Sequence, residues 1–430
     1  MKSSFDTWLT KVVQELSPDT PFHTERRSAY HALQNSAFRK KQNEAYSYVP
    51  LQELLDACTR QPYPAQAAVA KAPTPPHLPY NHTAHTITFI NGIWAPTQAA
   101  VGPTHPKIQL RRLNELSPAK QAETIQRYLP DLTQSEDFLA TLHILLAQET
   151  YLLDIPAHTR IDGTIVIQHL LTEGNAYVAP QLIATIGHAS QATIVEHWTG
   201  SGASVAHPLV HITLAEAAKL TYHTLHTQTT PCSHLYQLHC NQQASSTFVH
   251  HAFSFGPRLL RLNATVHLQG QYTATNLYGL YAPDTNEKVD HQVCVRHHFP
   301  ASCSTQHYKG MVGKQATGVF CGKTYVSPVA QQTNAYQTNQ ALLLSEEAHH
   351  YAKPQLEIYA DAVKCSHGAT AGQLDPEHIF YLQTRGINPI QAKQLLLEAF
   401  GKEIICTVET VDVRTYIQEK LCERLTYMLQ

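Results

Sequence analysis

Charge is in short supply: Asp, Glu, Lys and Arg make up 15% of the 430 residues, with 31 basic side chains against 33 acidic ones. A net charge of −2 offers little attraction for nucleic acid or an anionic membrane surface, so neither is expected as a partner. Long apolar runs are missing too. The most apolar stretch, Phe138 to Ile155, is broken by His143, Gln148, Glu149 and Asp154, which makes it a poor membrane span. Met1 to Leu16 sets Phe5, Trp8, Leu9, Val12, Val13 and Leu16 at helical spacing, unlike the unbroken apolar run of a secretory signal. Nine scattered cysteines, an odd number, lead to reduced thiols and a cytoplasmic location as the expectation, not a disulfide framework.

Familiar catalytic signatures are absent as well. There is no Gly-x-Ser-x-Gly elbow and no His-Glu-x-x-His, and Ser366 and His367 diverge if the backbone is extended. Carboxylates are sparse between residues 160 and 364, which argues against the paired acids of a β-helix carbohydrate enzyme. Gly318-Val-Phe-Cys-Gly322-Lys323-Thr324 imitates a phosphate loop but has three residues between its glycines where four are needed. Strand-like neighbours make a turn between coils the better reading. Cys232-x-His234…His239-Cys240 offers zinc-type donors, yet adjacent His239 and Cys240 point to opposite faces of a strand. A stand-alone metal-binding protein therefore stays a rival and no more.

What is present is organised in three parts. Residues 1–155 read as a helical and mixed domain containing a proline-rich segment, 61–79, that fits no regular element. Thr86 to Trp94 reads as two strands around an Asn91-Gly92 turn, and Ser117-Pro118 starts a helix. From 156 to 370 short β-branched stretches recur with no helix of ten residues between them, as in Thr164–Ile167, Val210–Leu214 and Thr265–Leu268. A sandwich or barrel and a solenoid are both compatible with this; the length favours the solenoid. Residues 371–430 return to helix, with start signals at Asp375-Pro376 and Asn388-Pro389 and a break at Gly401. Ile417, Leu421, Leu425 and Met428 form one apolar stripe, a candidate docking surface or a cover for the β region.

Histidine is the outlier in composition, with 28 residues. In the pairs His250-His251, His297-His298 and His349-His350, an extended backbone turns one ring inward and the other outward. Cys365 and His367 differ from these. At i and i+2 on a strand they share a face, and a thiolate beside an imidazole is half a site for a soft metal or an iron–sulfur species. Gly368 permits a sharp exit or close approach of another backbone. Two donors hold a metal poorly, so the remainder would come from a partner; a buried cysteine with a capping histidine is the plainer alternative.

From about Asn263 onward the sequence resembles the SufB/SufD family of iron–sulfur cluster assembly scaffolds, on its SufD side. The resemblance lies in ordered short blocks: His297-His298 with Pro300, Gln306-His-Tyr-Lys-Gly310, Gly318-Val-Phe-Cys-Gly-Lys323, Lys353-Pro-Gln-Leu-Glu-Ile358, Asp361-Ala-Val-Lys-Cys-Ser-His-Gly-Ala369 and Phe380-Tyr-Leu-x-x-Arg-Gly386. The basic-aromatic stretch from Arg39 to Tyr48 matches less well, and Ala362 departs from the family's paired aspartates. The resemblance implies a mainly β chain: a right-handed parallel β-helix core between N-terminal and C-terminal helical domains. It also implies a non-catalytic scaffold that pairs with SufB, docks the SufC ATPase on its C-terminal helices and carries a transient iron–sulfur cluster at the junction. A homodimer is possible when the chain is alone. The family's cysteine and histidine fall on Cys365 and His367, and Phe380, Tyr381, Arg385, Leu396 and Phe400 are the expected partner-binding residues.

Overall fold

The computed structural model describes residues 4–15, 22–35, 46–49, 51–59, 82–96, 105–128, 137–172, 177–200, 202–228 and 231–430. The proline-rich segment 61–79 and the stretch Arg39–Ala45 lie outside these residues. Strands hold 44% of the chain and helices 27%, and the strands wind into a β-solenoid of about seven turns.

Alternate strands enter two facing sheets, one of ten strands and one of twelve, and most neighbours run parallel. The pairing is in register over whole strands: Leu259–Leu268 lies on Lys288–His297, which lies on Thr317–Val326. Such stacking buries one face of each strand between the sheets. Ile194, Tyr222, Phe248, Leu262, Val293 and Phe320 all belong to this interior. One corner of each coil is turned by a residue with positive φ: His158, Ala189, Ala217, Ser245, Tyr272, Ala301 and Gln332, 27 to 31 residues apart. At successive corners a backbone N–H bonds to the coil above, as from Ala189 to Glu216 O and from Gln332 to Ala362 O. These bonds offset the strain that left-handed φ imposes on residues with a Cβ.

The first coil opens with the expected hairpin, Phe89 opposite Trp94, with Asn91 (φ 48) and Gly92 (φ 82) in the turn. Both central angles are positive, as a tight hairpin turn requires. The segment Gly318–Thr324 is not a turn between coils. It lies inside the ten-residue strand Thr317–Val326, where Gly322 leaves room for the Phe320 ring and the Gln306 side chain.

Helices flank the rod on both sides. Helices α1 (Ser4–Glu15), α2 (His23–Gln34), α3 (Leu51–Thr59), α4 (Pro118–Tyr128) and α5 (Phe138–Leu146) come before most of the coils. Every residue of α5 is buried, which accounts for its unbroken apolar sequence in a helix too short to span a membrane. Phe5, Leu9, Leu54, Leu142 and Leu145 pack on the outward-facing Ile183, Leu209, Leu235 and Leu259 of the twelve-stranded sheet. Arg261, buried and paired with Asp290, lies with its guanidinium 4.1 Å from the Tyr46 ring, which ties this helical part to the rod.

Helices α6 (Pro376–Thr384), α7 (Pro389–Ile405) and α8 (Val411–Met428) lie against the other sheet. Asp375 and Asn388 cap α6 and α7 by accepting from the backbone N–H of Glu377 and Gln391. The stripe Ile417, Leu421, Leu425 and Met428 is buried against the rod, with Phe253, Leu280 and Met311 in the same cluster. It is therefore internal packing and offers no docking surface. Burial is worth roughly 1.5–3 kcal/mol for each such side chain. α7 runs through Gly401 without a break, and the glycine serves packing: a Cβ there would meet Leu421 Cδ2 at 2.8 Å and Met311 Cε at 3.0 Å. Among the described residues no helix is long and apolar enough to cross a membrane.

Candidate functional site

The last strand of the ten-stranded sheet, Lys364–Gly372, pairs with Asn334–Leu343 on one side and with nothing described on the other. It begins after a turn that Gln331 braces by accepting the Ala362 N–H at 2.9 Å. Lys364 N–H then bonds inward to Thr333 O. By strand alternation the N–H groups of Cys365, His367, Ala369 and Ala371 face the open side. A nine-residue edge with no proline and mostly small side chains is a template for another strand.

Cys365 and His367 sit on the inward side of this edge, in register with buried Ala335 and Gln337. Cys365 is half-buried and packs beside Val326, Ala330, Ala360 and Val363. Burial pushes its thiol above the ordinary value, and the Ala335 backbone pulls it back only in part, so the thiol keeps its proton at neutral pH. His367 is exposed. The expected shared face is therefore real, and it lies at the open end of the rod, clear of any sealed interior. The strand continues past Gly368, so that glycine makes no sharp exit; a Cβ there would meet nothing within 4 Å. Among the described residues no neighbour demands a glycine at 368. Tyr336, Ile358 and Tyr359 are 46%, 36% and 59% exposed near the same end.

Cys365 and His367 are two donors. Among the described residues no group of three or more His, Cys, Asp or Glu side chains could hold a metal ion. His234, His239 and Cys240 lie on the strand Ser233–Gln242, just after Cys232; Cys240 is buried in the interior and His239 belongs to the other face. All nine cysteines are free.

Twelve of the 28 histidines are buried. Glu196 is buried and accepts Tyr222 Oη at 2.5 Å, Trp198 Nε1 at 3.0 Å and Tyr236 Oη, with His169 Nε2 3.0 Å away. Burial raises its carboxyl, but these bonds and the His169 charge outweigh that and hold it below the usual carboxylate range. Other acids are committed to cations: Asp290 to Arg261, Glu287 to Arg424, Glu403 to Lys309. These described acids are engaged as ion pairs and hydrogen-bond acceptors, not as a free pair lining a cleft for carbohydrate chemistry. In the His250-His251 pair the inward ring bonds Thr224, but the outward ring is not in solvent. It bonds Thr407 Oγ1 at 2.9 Å beneath the C-terminal helices.

The partner-binding candidates divide. Phe380 and Tyr381 are 66% and 57% exposed on α6, and Arg385 stacks on Tyr381. Leu396 is half-buried on α7. Phe400 is half-buried too, but its ring sits 4.3 Å from buried Lys309 Nζ and packs toward the rod. Between α7 and α8 an open groove of about 220 Å³ is lined by Leu395, Ala399, Ile405 and Gln418. Sequence reasoning missed this groove. The exposed Leu395 at its rim was the available signal.

Comparison with known proteins identifies the family. Over 401 residues the chain is 27% identical to an iron–sulfur cluster assembly SufBD family protein of Synechocystis, covering 90% of this chain and 87% of that one. Over 319 residues it is 31% identical to the iron–sulfur cluster assembly protein SufD of Escherichia coli, 69% of this chain and 71% of that one. A SufBD family protein of Mycobacterium leprae is 28% identical over 244 residues, 55% of this chain and 62% of its own. Residues 169–400, more than half of the chain, match the family described as SUF system FeS cluster assembly, SufBD core domain. The chain therefore belongs to the SufB/SufD family of iron–sulfur cluster assembly proteins, and within it to the SufD type.

Proposed function

We propose that this chain is a non-catalytic scaffold subunit of an iron–sulfur cluster assembly complex, made of three units: helical and mixed 1–155, solenoid 156–370 and helical 371–430. Its strand Lys364–Gly372 pairs with the corresponding edge of a SufB-type solenoid, and a nascent cluster is assembled across the junction as cargo. The observation that carries this reading is the unpaired edge itself, with Cys365 and His367 displayed on it at the open end. Edge pairing supplies main-chain hydrogen bonds, and the partner supplies the donors that two side chains lack. A neutral Cys365 thiol gives up its proton on binding metal, so its raised pKa keeps the half-site quiet until the partner and iron arrive. In the absence of SufB the same edge can pair with a second copy.

A SufC-type ATPase docks on the C-terminal helices, through Phe380, Tyr381 and Arg385 and the margin formed by Leu396 and Phe400. The exposed aromatic pair on α6 and the groove between α7 and α8 support this. Free thiols throughout the chain fit a reducing, cytoplasmic setting.

His367→Ala tests the junction. In a complex reconstituted with SufB and SufC partners, loss of this ligand is expected to lower cluster yield by ~10-fold or more. Wild-type yield from the variant would remove His367 from the mechanism.

A further inference from the structure

The register that places His367 at the open end also fixes what lies beneath it. On the inward face of the ten-stranded sheet His250, Leu277, Gln306, Gln337 and His367 form one column, a strand apart at each step. Neighbouring strands are about 4.8 Å apart, so the amide of one rung can reach the ring on the next. Gln337 is 2% exposed, and its Nε2 donates to Thr324 Oγ1 at 2.8 Å. The same hydroxyl, itself fully buried on the facing sheet, accepts Gln306 Nε2 at 3.2 Å. Thr324 thus anchors the Gln337 amide by its nitrogen. The other end of that amide, Oε1, is buried and has no hydrogen-bond partner.

A buried acceptor without a donor is costly, and native proteins rarely leave one. Gln306, the rung below, spends its Nε2 on Thr324 and on Lys323 O, and its own Oε1 is likewise buried without a partner, so it offers Gln337 no donor. The next side-chain donor in the column is the His367 ring. We infer that Gln337 is a positioning residue for His367: its Oε1 accepts one ring N–H, which fixes the tautomer and leaves the other nitrogen's lone pair free to act as a ligand at the junction. Ligating histidines are commonly held in this way by an acceptor on their second nitrogen. The inference deepens the proposed function and rests on His367 acting at that junction. Its signal in the sequence is spacing: Gln306, Gln337 and His367 stand 31 and 30 residues apart, one coil each.

The test uses the full chain with ¹⁵N-labelled histidine, the His367 ring signals being assigned by their loss in His367→Ala. Wild type is expected to show one tautomer of His367. Gln337→Met, which keeps length and removes the acceptor, is expected to give the two-tautomer mixture of a free imidazole. Thr324→Val, which keeps Gln337 but frees its amide, is expected to shift the ring part of the way, and it decides the matter if Gln337→Met does not fold. An unchanged tautomer in the folded variants overturns the inference. The junction reading fails separately, if His367→Ala leaves cluster yield intact; a tautomer shift in Gln337→Met would stand even then.

Discussion

Acidification from pH 7 to pH 5 is expected to unfold the isolated chain. Burial holds His143, His197, His223, His250, His291 and His297 down to about 3, against an ordinary value of 6.5. His207, His226, His234 and His251 are also pushed well below it by burial. The sign follows from linkage. Above pH 6.5 these rings are neutral whether the chain is folded or not, and they impose no penalty. As the pH falls below 6.5 the unfolded chain takes up protons that the folded chain cannot, and stability drops until the pH reaches the folded values near 3. One unit below 6.5 each ring costs on the order of 1 kcal/mol, and several together match the 5–15 kcal/mol that holds a typical domain. Thermal unfolding followed by circular dichroism should show a steep fall in Tm between pH 6.5 and 5, with uptake of several protons on unfolding. A Tm that stays level down to pH 4.5 would contradict this, because histidines of the unfolded chain, with an ordinary value of 6.5, are almost fully protonated by then.

The second large effect is expected at two glycines of the interior. A Cβ on Gly310 would lie 2.3 Å from Tyr281 Cε2, and one on Gly279 would lie 2.1 Å from Tyr308 Cδ1. Each tyrosine is fully buried and extends its ring across the neighbouring rung, in the space the glycine leaves. The rings cannot swing into solvent, so Gly310→Ala forces side chains off rotamer or rungs apart. Overpacking of this kind costs roughly 1–3 kcal/mol. Urea unfolding should place Gly310→Ala and Gly279→Ala in that range, and Gly310→Ala combined with Tyr281→Ala should lose less than the two single changes added together. Single variants within about 0.5 kcal/mol of wild type would show that the stack yields more than its burial implies.

Local signals were the most legible part of the sequence. The Asn91-Gly92 turn and the Asp375 and Asn388 caps depend on one or two residues, and each appears where its residue type requires. The solenoid was legible as a class of fold but not as a period, because corners as different as His158, Ala189, Tyr272 and Gln332 leave no repeating motif. The shared face of Cys365 and His367 was legible because strand alternation alone puts the two residues on one side. What escaped was long-range covering. His251 points outward from its strand and is still buried, since α7 and α8 lie over that sheet. The same covering turned the stripe on α8 from a candidate surface into core. Gly318 and Gly322 were misread because a glycine between coils and a glycine under an aromatic ring look alike in sequence.

The central claim is that the strand Lys364–Gly372 is an edge completed by a homologous partner, and Ala369→Pro tests it most directly. Its N–H faces the open side, so proline removes an outward donor while the ladder to Asn334–Leu343 stays intact. The variant and wild type would be co-expressed with SufB and SufC homologues and the complexes weighed by native mass spectrometry. Wild type is expected to carry both partners. Ala369→Pro is expected to keep SufC on its C-terminal helices and to lose SufB. A variant that still holds SufB at wild-type stoichiometry would contradict the account.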